Sequence, residues 1–555
     1  MSNAAENSFE NKSFLVVDDF QGMRTVLRDI LRSMGVNPRS IYTAANGQEA
    51  INFLAQTHFD GVLCDYNLGT GKNGQQVLEE AKVRDLVGPG CAWILISAEK
   101  TADIVMGAVE FQPDAYLIKP ITEGALRLRL EKIWARKSAF GEIDRAVAAH
   151  DYLRAARLCD ERLAVDRVNR NELRRIKCQL LLQAEDYAQV RSLCDEVLAE
   201  RDLPWAQLGL ARCLFAAGDL DGARRGLEAL VAENRAYLEA YDWLAKVLSE
   251  QGDLAGAAGV LENAARLSPN SVLRQKTLGE VALQMGEPDK AEKAFRKSVS
   301  LGENSVFKTA DAYLGLAKSC SAQDRPQEAL QVLGTVTKQF DDPTVKMKTL
   351  ATEGMVHHKA GDPIAARKAA QALSAAIQES GGQVGSGDAV EMAELMLVTG
   401  EKDQAVALLQ NEVRNNPEDS RLLSRVQQVF EAGAMGEEGS ALVEASRKEA
   451  LELMNQGVLL AKDGKLDEAL GAMRAACERL PGNVRVLFNF SHLALAYARK
   501  NTADPALLEE IRQRLETAHR LSPGEKRYGT LVTQLQALTH SGGSGDATPA
   551  AAPPR

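Results

Sequence analysis

Asp18-Asp19, Asp65, Ser97 and Lys119 each close a short apolar run: SFLVVDD, FDGVLCDYN, CAWILISA and DAYLIKP. Taken singly, each has an ordinary explanation. An acid or serine after a strand commonly caps the next helix, and a lysine before proline is usually solvated. Taken together they make a different pattern. Three carboxylates held about 4 Å apart repel one another by about 4 kcal/mol per pair at an effective dielectric of about 20, so such a cluster persists only around a cation. Oxygen donors without histidine or cysteine select a hard ion such as Mg2+. Lys119 adds a fixed positive charge and Ser97 a hydroxyl. A carboxylate nucleophile, a divalent cation, a lysine for the equatorial oxygens and a hydroxyl donor form an arrangement for phosphoryl transfer.

A second motif competes for the same segment. Gly69-Thr-Gly71-Lys-Asn-Gly74 spells G-x-G-x-x-G, the fingerprint of a dinucleotide-binding turn. That turn opens a first strand–helix–strand unit and is followed about 20 residues on by an acid for the ribose. Here it follows the third apolar run, and Lys72 precedes Asn73 rather than the Ser or Thr of a phosphate-binding loop. The glycines are better read as letting the chain turn out of the acidic site.

The acids must be positioned by a scaffold, and the first 137 residues supply one. SFLVVDD, SIYTAA, FDGVLCDYN, CAWILISA and DAYLIKP alternate with helical segments. Those segments are GMRTVLRDILRSMG, GQEAINFLAQTH, QQVLEEAKVRDL, DIVMGAVEF and EGALRLRLEKIWARK, the first carrying Met23, Val26, Leu27, Ile30 and Leu31 at helical spacing. Five strands alternating with five helices predict a parallel sheet covered on both faces, with its working site at the carboxyl ends of the strands.

On this scaffold the pattern Asp18-Asp19, Asp65, Ser97 and Lys119-Pro120 resembles the receiver domain of bacterial response regulators, and SFLVVDDFQGMRTVLRDIL is especially similar to the chemotaxis receiver. The resemblance covers about residues 11–137 and implies a (βα)5 flavodoxin-like fold. It implies Asp65 as the phosphoacceptor, served by a histidine kinase or phosphotransfer protein, with Lys119 contacting the phosphoryl oxygens. Asp18, Asp19 and Asp65 match the Mg2+ ligands, together with the backbone carbonyl of Asn67. Ser97 and Tyr116 match the switch pair. Asn67 and Glu99 match the positions that govern water attack on the acyl phosphate, and their polar side chains imply faster self-dephosphorylation. One departure is the loop NLGTGKNG, which lacks the proline common in the family and is slightly longer.

Beyond residue 138 the chain repeats itself. AHDYLRAA, AEDYAQV, AGDLDGA, QGDLAGA and MGEPDKA place turns at His150, Glu185, Gly218, Gly252 and Gly286, spaced by 35, 33, 34 and 34 residues. The period loosens through Asp324, Gly361 and Gly400 and returns at Gly464. A period near 34 with two helices per unit resembles the tetratricopeptide repeat (TPR). In the unit from Leu238 to Pro269, Tyr241, Leu244 and Leu248 share a face, and Ala245 and Ala257 are small where the helices cross. Leu261 and Ala264 continue the second helix's stripe. The unit from Leu451 to Pro481 repeats this with Gly457, Leu460, Ala469, Met473 and Ala476. A unit of this kind cannot bury its own face, so the array must stack.

The bulk numbers fit several domains. At 555 residues the chain exceeds one core, 45% apolar content suits folding, and a net charge of −10 argues against a general nucleic-acid binder. Eight cysteines without a C-x-x-C pair indicate neither zinc nor a disulfide framework. No apolar run approaches the roughly 18 residues of a membrane span, and the N-terminus lacks a signal-peptide layout. The expectation is a multidomain cytoplasmic protein. It has a disordered start (1–10), a receiver (11–137), an all-α TPR superhelical solenoid of nine or ten repeats (138–538), and a disordered tail (539–555). Degenerate repeats fall near 305–340, 380–400 and 420–445, and ESGGQVGSGD (379–388) reads as a loop. The expected function is that of a response regulator without a DNA-binding domain, controlling an unidentified protein partner through the repeats. It is no enzyme beyond its own phosphorylation and dephosphorylation at Asp65, and neither binds nucleic acid nor inserts in membrane. Two alternatives stand beside it: a constitutive adaptor with an unphosphorylated receiver, and a phosphate sink for a kinase.

Overall fold

A computed structural model describes residues 9–98, 113–380, 384–385, 387–501, 504–522 and 527–541. The chain divides into two compact units, residues 1–325 and 326–555. Among the described residues no helix is long and apolar enough to cross a membrane.

The first unit begins with strands β1 (Phe14–Val17), β2 (Ile41–Ala44), β3 (Gly61–Asp65), β4 (Ala92–Ser97) and β5 (Ala115–Ile118), all parallel in the order β2-β1-β3-β4-β5. Helices α1 (Gln21–Ser33), α2 (Gly47–Gln56) and α3 (Gly74–Val83) are followed by a long helix, Glu123–Ala148. Phe14 and Val16 of β1 pack with Leu27, Leu31, Leu126 and Leu130. Leu15 and Val17 face the other way, toward Ile51, Val77 and Leu78. This two-residue alternation with both faces covered is why the strands are apolar throughout. The arrangement is the flavodoxin-like α/β fold, and its strand order reverses between β1 and β3, which opens a crevice at their carboxyl ends.

Two local differences from the sequence reading stand out. Val26 is 50% exposed, because the buried stripe of α1 narrows to Leu27 and Leu31, one turn apart. Phe9, assigned to a disordered start, is buried against Trp134 at 5.4 Å between ring centroids. A large ring with an apolar neighbour gains more by docking than by remaining in water. The helix expected over DIVMGAVEF lies outside the described residues.

The helix Glu123–Ala148 carries no proline and crosses the expected boundary at 137/138 without a break. Its Trp134 packs on Phe14 of the sheet, while Phe140 and Ile143 join Ala155 and Cys159 in the first repeat core. Arg136 ties both sides together, 2.9 Å from Asp114 at the start of β5 and 2.6 Å from Glu172 on helix Arg170–Gln183.

The repeats obey a local rule. Every turn position read from the period has a left-handed backbone: His150, Glu185 and Asp324 at φ 56°, and Gly218, Gly252, Gly286, Gly361, Gly400 and Gly464 between 71° and 95°. Such a residue closes a helix by letting the following amides reach back to its last carbonyls. An aspartate often comes next and caps the second helix. Asp151 accepts from the Arg154 N–H at 3.0 Å, Asp219 from Gly222 at 2.8 Å and Asp253 from Gly256 at 2.9 Å. The sequence reading missed one turn, Ala434 at φ 57°. It lacks the glycine signal, yet it pairs helices Ser420–Ala432 and Gly436–Lys462 within the stretch read as degenerate. The unit read as starting at Leu451 therefore starts inside a 27-residue helix.

The crossings rely on small residues. Tyr241, Leu244, Ala245, Leu248, Ala257, Leu261 and Ala264 are all buried. A Cβ on Gly457 would meet Met473 Cγ at 2.4 Å, so the helices approach there only because glycine has none. Helices continue to Arg527–Ser541. Within the expected loop at 379–388, residues 381–383 and 386 lie outside the described residues.

Candidate functional site

Strand register assembles the site. Val17 pairs with Cys64, Asp65 with Ile96 and Ser97 with Ile118. Asp18, Asp65, Ser97 and Lys119 therefore end neighbouring strands at one edge. The carboxylate oxygens of Asp18, Asp19 and Asp65 lie within 4.8 Å of one another. Lys119 Nζ donates to Asp65 at 2.8 Å and to Asp18 at 2.9 Å. Asp18 and Asp65 are buried, whereas Asp19 stands at the exposed rim.

Burial, assisted by the neighbouring Asp18, raises the Asp65 carboxyl above its ordinary value despite the lysine. Burial alone would lower the Lys119 ammonium, but its hydrogen bonds to Asp65 and Asp18 prevail and raise it. Two buried acids thus share one cation. One positive charge among three carboxylates leaves a convergent, oxygen-only donor set, and that set fits a hard divalent cation.

The remaining site residues fall around this core. Ser97 is buried at the end of β4, and its carbonyl accepts the Lys119 N–H at 2.9 Å. The peptide Lys119-Pro120 is cis. Tyr116 is half-buried against the cluster that holds Leu15 and Val77. Asn67 is exposed, and its side-chain oxygen accepts from the Gly69 N–H at 3.3 Å. Glu99 lies outside the described residues.

The glycines of the loop turn the chain over the acids. Gly69 and Gly71 are left-handed at φ 71° and 96°, and a Cβ on Gly69 would sit 3.3 Å from Asp19 Oδ2. At Gly74, the first residue of α3, a Cβ would come within 2.1 Å of the Asp65 carbonyl oxygen. Only glycine lets α3 start there. Its N–H donates to the Tyr66 carbonyl at 2.8 Å.

One contributor escaped the sequence reading. Arg24 donates to the backbone carbonyls of Asp18 at 2.6 Å and Asp19 at 3.1 Å, holding the acidic turn in place. Its position one turn into α1 is the only sequence signal, and an arginine there is otherwise unremarked surface.

The family described as the response regulator receiver domain matches residues 14–131, and the tetratricopeptide repeat matches residues 181–247 and 276–336. Chemotaxis protein CheY-3 of Vibrio cholerae is 29% identical over 127 residues, which is 23% of this chain and 95% of that protein. Chemotaxis protein CheY of Pseudomonas aeruginosa is 28% identical over 122 residues, 22% of this chain and 95% of its own. A solved CheY-like receiver domain from Methanospirillum hungatei JF-1 aligns over 23% of this chain and 96% of its own, at 23% identity and a TM-score of 0.21. The N-terminal part of this chain is a response regulator receiver domain, and tetratricopeptide repeats follow it.

Proposed function

We propose that this protein is a two-component response regulator whose receiver takes a phosphoryl group on Asp65 and whose repeats bind a protein partner. The observation that carries this reading is Lys119, held within 2.9 Å of both Asp65 and Asp18 beside a third acid. An Asp65 carboxylate oxygen attacks the phosphorus of a phosphohistidine on a kinase or phosphotransfer protein. The P–N bond breaks, its electron pair returns to the imidazole, and an aspartyl phosphate forms. Lys119 stays protonated, because two acids raise its affinity for the proton, and turns toward the transferred oxygens. Mg2+, held by Asp18, Asp19, Asp65 and the Asn67 carbonyl, supplies charge neutralisation when bound. Ser97 follows the product with its hydroxyl, Tyr116 responds with it, and Asn67 and Glu99 set how fast water attacks.

The output runs through protein contacts rather than DNA. A phosphoryl group adds roughly −1.5 to −2 charge. Moving an equilibrium from 1:99 to 99:1 requires a preference of about 5.5 kcal/mol for one state. Capture of partners on immobilised full-length protein tests the reading, comparing wild type with Asp65→Asn under phosphorylating conditions. A partner whose recovery differs between the two is expected. Equal recovery of every partner contradicts it and favours a constitutive adaptor.

A further inference from the structure

The first two turns of α3 carry a face that is shielded from solvent. Gln75 and Glu79 are only 4% and 5% exposed, although they are polar residues on the surface helix of a small domain. They are covered by the repeats. Gln76 Nε2 donates to the Leu301 carbonyl at 3.2 Å, at the end of helix Pro288–Gly302. Ser305 Oγ donates to Glu79 Oε2 at 3.2 Å, in a buried contact, while Gln75 Nε2 donates to Glu79 Oε1 at 3.0 Å. Beside the contact lies a cavity of about 470 Å³, whose walls include Asn73 and Gln76 from the receiver and Asp242, Ser271 and Arg274 from the repeats. Arg274 is itself 3% exposed and grips Asp242 with two hydrogen bonds of 2.8 Å. This face of the repeats is therefore braced by its own hydrogen bonds, and α3 occupies part of it.

The same segment is mechanically tied to the phosphoacceptor. The α3 start is wedged against the Asp65 carbonyl at Gly74, and the Gly74 N–H is bonded to Tyr66. Asn73 caps the helix, accepting from the Gln76 N–H at 2.9 Å, and Gln76 Oε1 accepts in return from the Asn73 N–H at 3.0 Å. One amide side chain thus divides itself between the end of the loop that covers the acids and the carbonyl of Leu301 in the repeats. A phosphoryl group on Asp65 adds three oxygens and charge to a crevice walled by that loop. Asn73 cannot shift without Gln76 losing one of its two partners.

We propose that the face of the repeats around Leu301, Ser305 and Arg274 is a docking surface whose resident occupant is the first two turns of α3, and that phosphorylation at Asp65 vacates it. The release rests on the phosphoacceptor reading above, whereas the seat itself does not.

Hydrogen–deuterium exchange on the full chain tests both. Acetyl phosphate with Mg2+ is expected to speed exchange in residues 301–308 and in the first two turns of α3 by roughly 5-fold or more, the lower end of coupling between sites. Asp65→Asn is expected to show no such change. Ser305→Glu, which sets a second carboxylate against Glu79, opens the seat without phosphate, and adding Glu79→Gln closes it again. Recovery by the second substitution separates a lost contact from a misfolded repeat. Unchanged exchange in Ser305→Glu would overturn the seat. Unchanged or slower exchange in wild type whose mass shows phosphate uptake would overturn the release alone. Absence of uptake by mass would remove the phosphoacceptor reading, and the release with it, while the Ser305→Glu result still decides the seat.

Discussion

Asp65 shares the ammonium of Lys119 with Asp18, yet burial outweighs the lysine in setting the pH behaviour of its carboxyl. The Asp65 carboxyl lies above its ordinary value of 3.8, chiefly through burial. The folded chain thus holds this proton more tightly than the unfolded chain. Its contribution to stability falls as pH rises from 3.8 through the raised value. Asp65→Asn removes that loss. Its melting temperature without divalent cations is expected to exceed wild type at neutral pH, with the gap closing as pH is lowered toward 3.8. A gap that does not change with pH counts against the argument. Lys119→Ala leaves the acids facing each other. A lower melting temperature at neutral pH is expected, with Mg2+ restoring more of the loss than it adds to Asp65→Asn. Tyr116→Ala is expected to weaken the response of partner binding to phosphorylation, and a full response would remove Tyr116 from the switch. The acids and Lys119 were legible because each punctuates an apolar run. Arg24 was not, because it works through backbone carbonyls, whose direction no residue type discloses.

At the scale of elements, the left-handed turn followed by a capping acid is what makes the repeats countable. Its weakness is visible too: His150, Glu185, Asp324 and Ala434 hold the left-handed conformation with a side chain attached, at a cost of about 1 kcal/mol each. Ala434→Gly is therefore expected to raise stability by about 1 kcal/mol, and Gly252→Ala to lower it by a similar amount. A Cβ on Gly252 would meet nothing within 4 Å, so its cost is conformational alone. Chemical denaturation with unchanged m-values checks both, and a neutral Gly252→Ala would show the turn relaxing to another backbone. Among the described residues, helices were legible from their spacing and strands as short apolar runs, since strands buried on both faces are largely apolar. The turn at Ala434 was hidden because its signal is displaced. The left-handed residue there is an alanine, and the glycines that mark the turn, Gly433 and Gly436, stand beside it rather than at it.

Across the whole chain, one helix carries the receiver directly into the repeats, in keeping with WARKSAFGEIDR, which holds no long Gly/Ser- or Pro-rich linker. The seat of α3 was not legible, because its partners stand 225 and 226 residues apart in sequence and are individually ordinary polar residues. Long-range contacts of that kind depend on how the repeats stack, which no local pattern encodes. Signalling by this chain depends on whether the Asp65 carboxylate can be phosphorylated. The most direct measurement treats full-length protein with acetyl phosphate and Mg2+ and follows intact and peptide mass. One added phosphoryl group is predicted, located on the peptide that contains Asp65, lost on chelation of the metal before treatment and absent in Asp65→Asn. A folded wild type that takes up none, or an Asp65→Asn protein that takes up as much, would contradict the account.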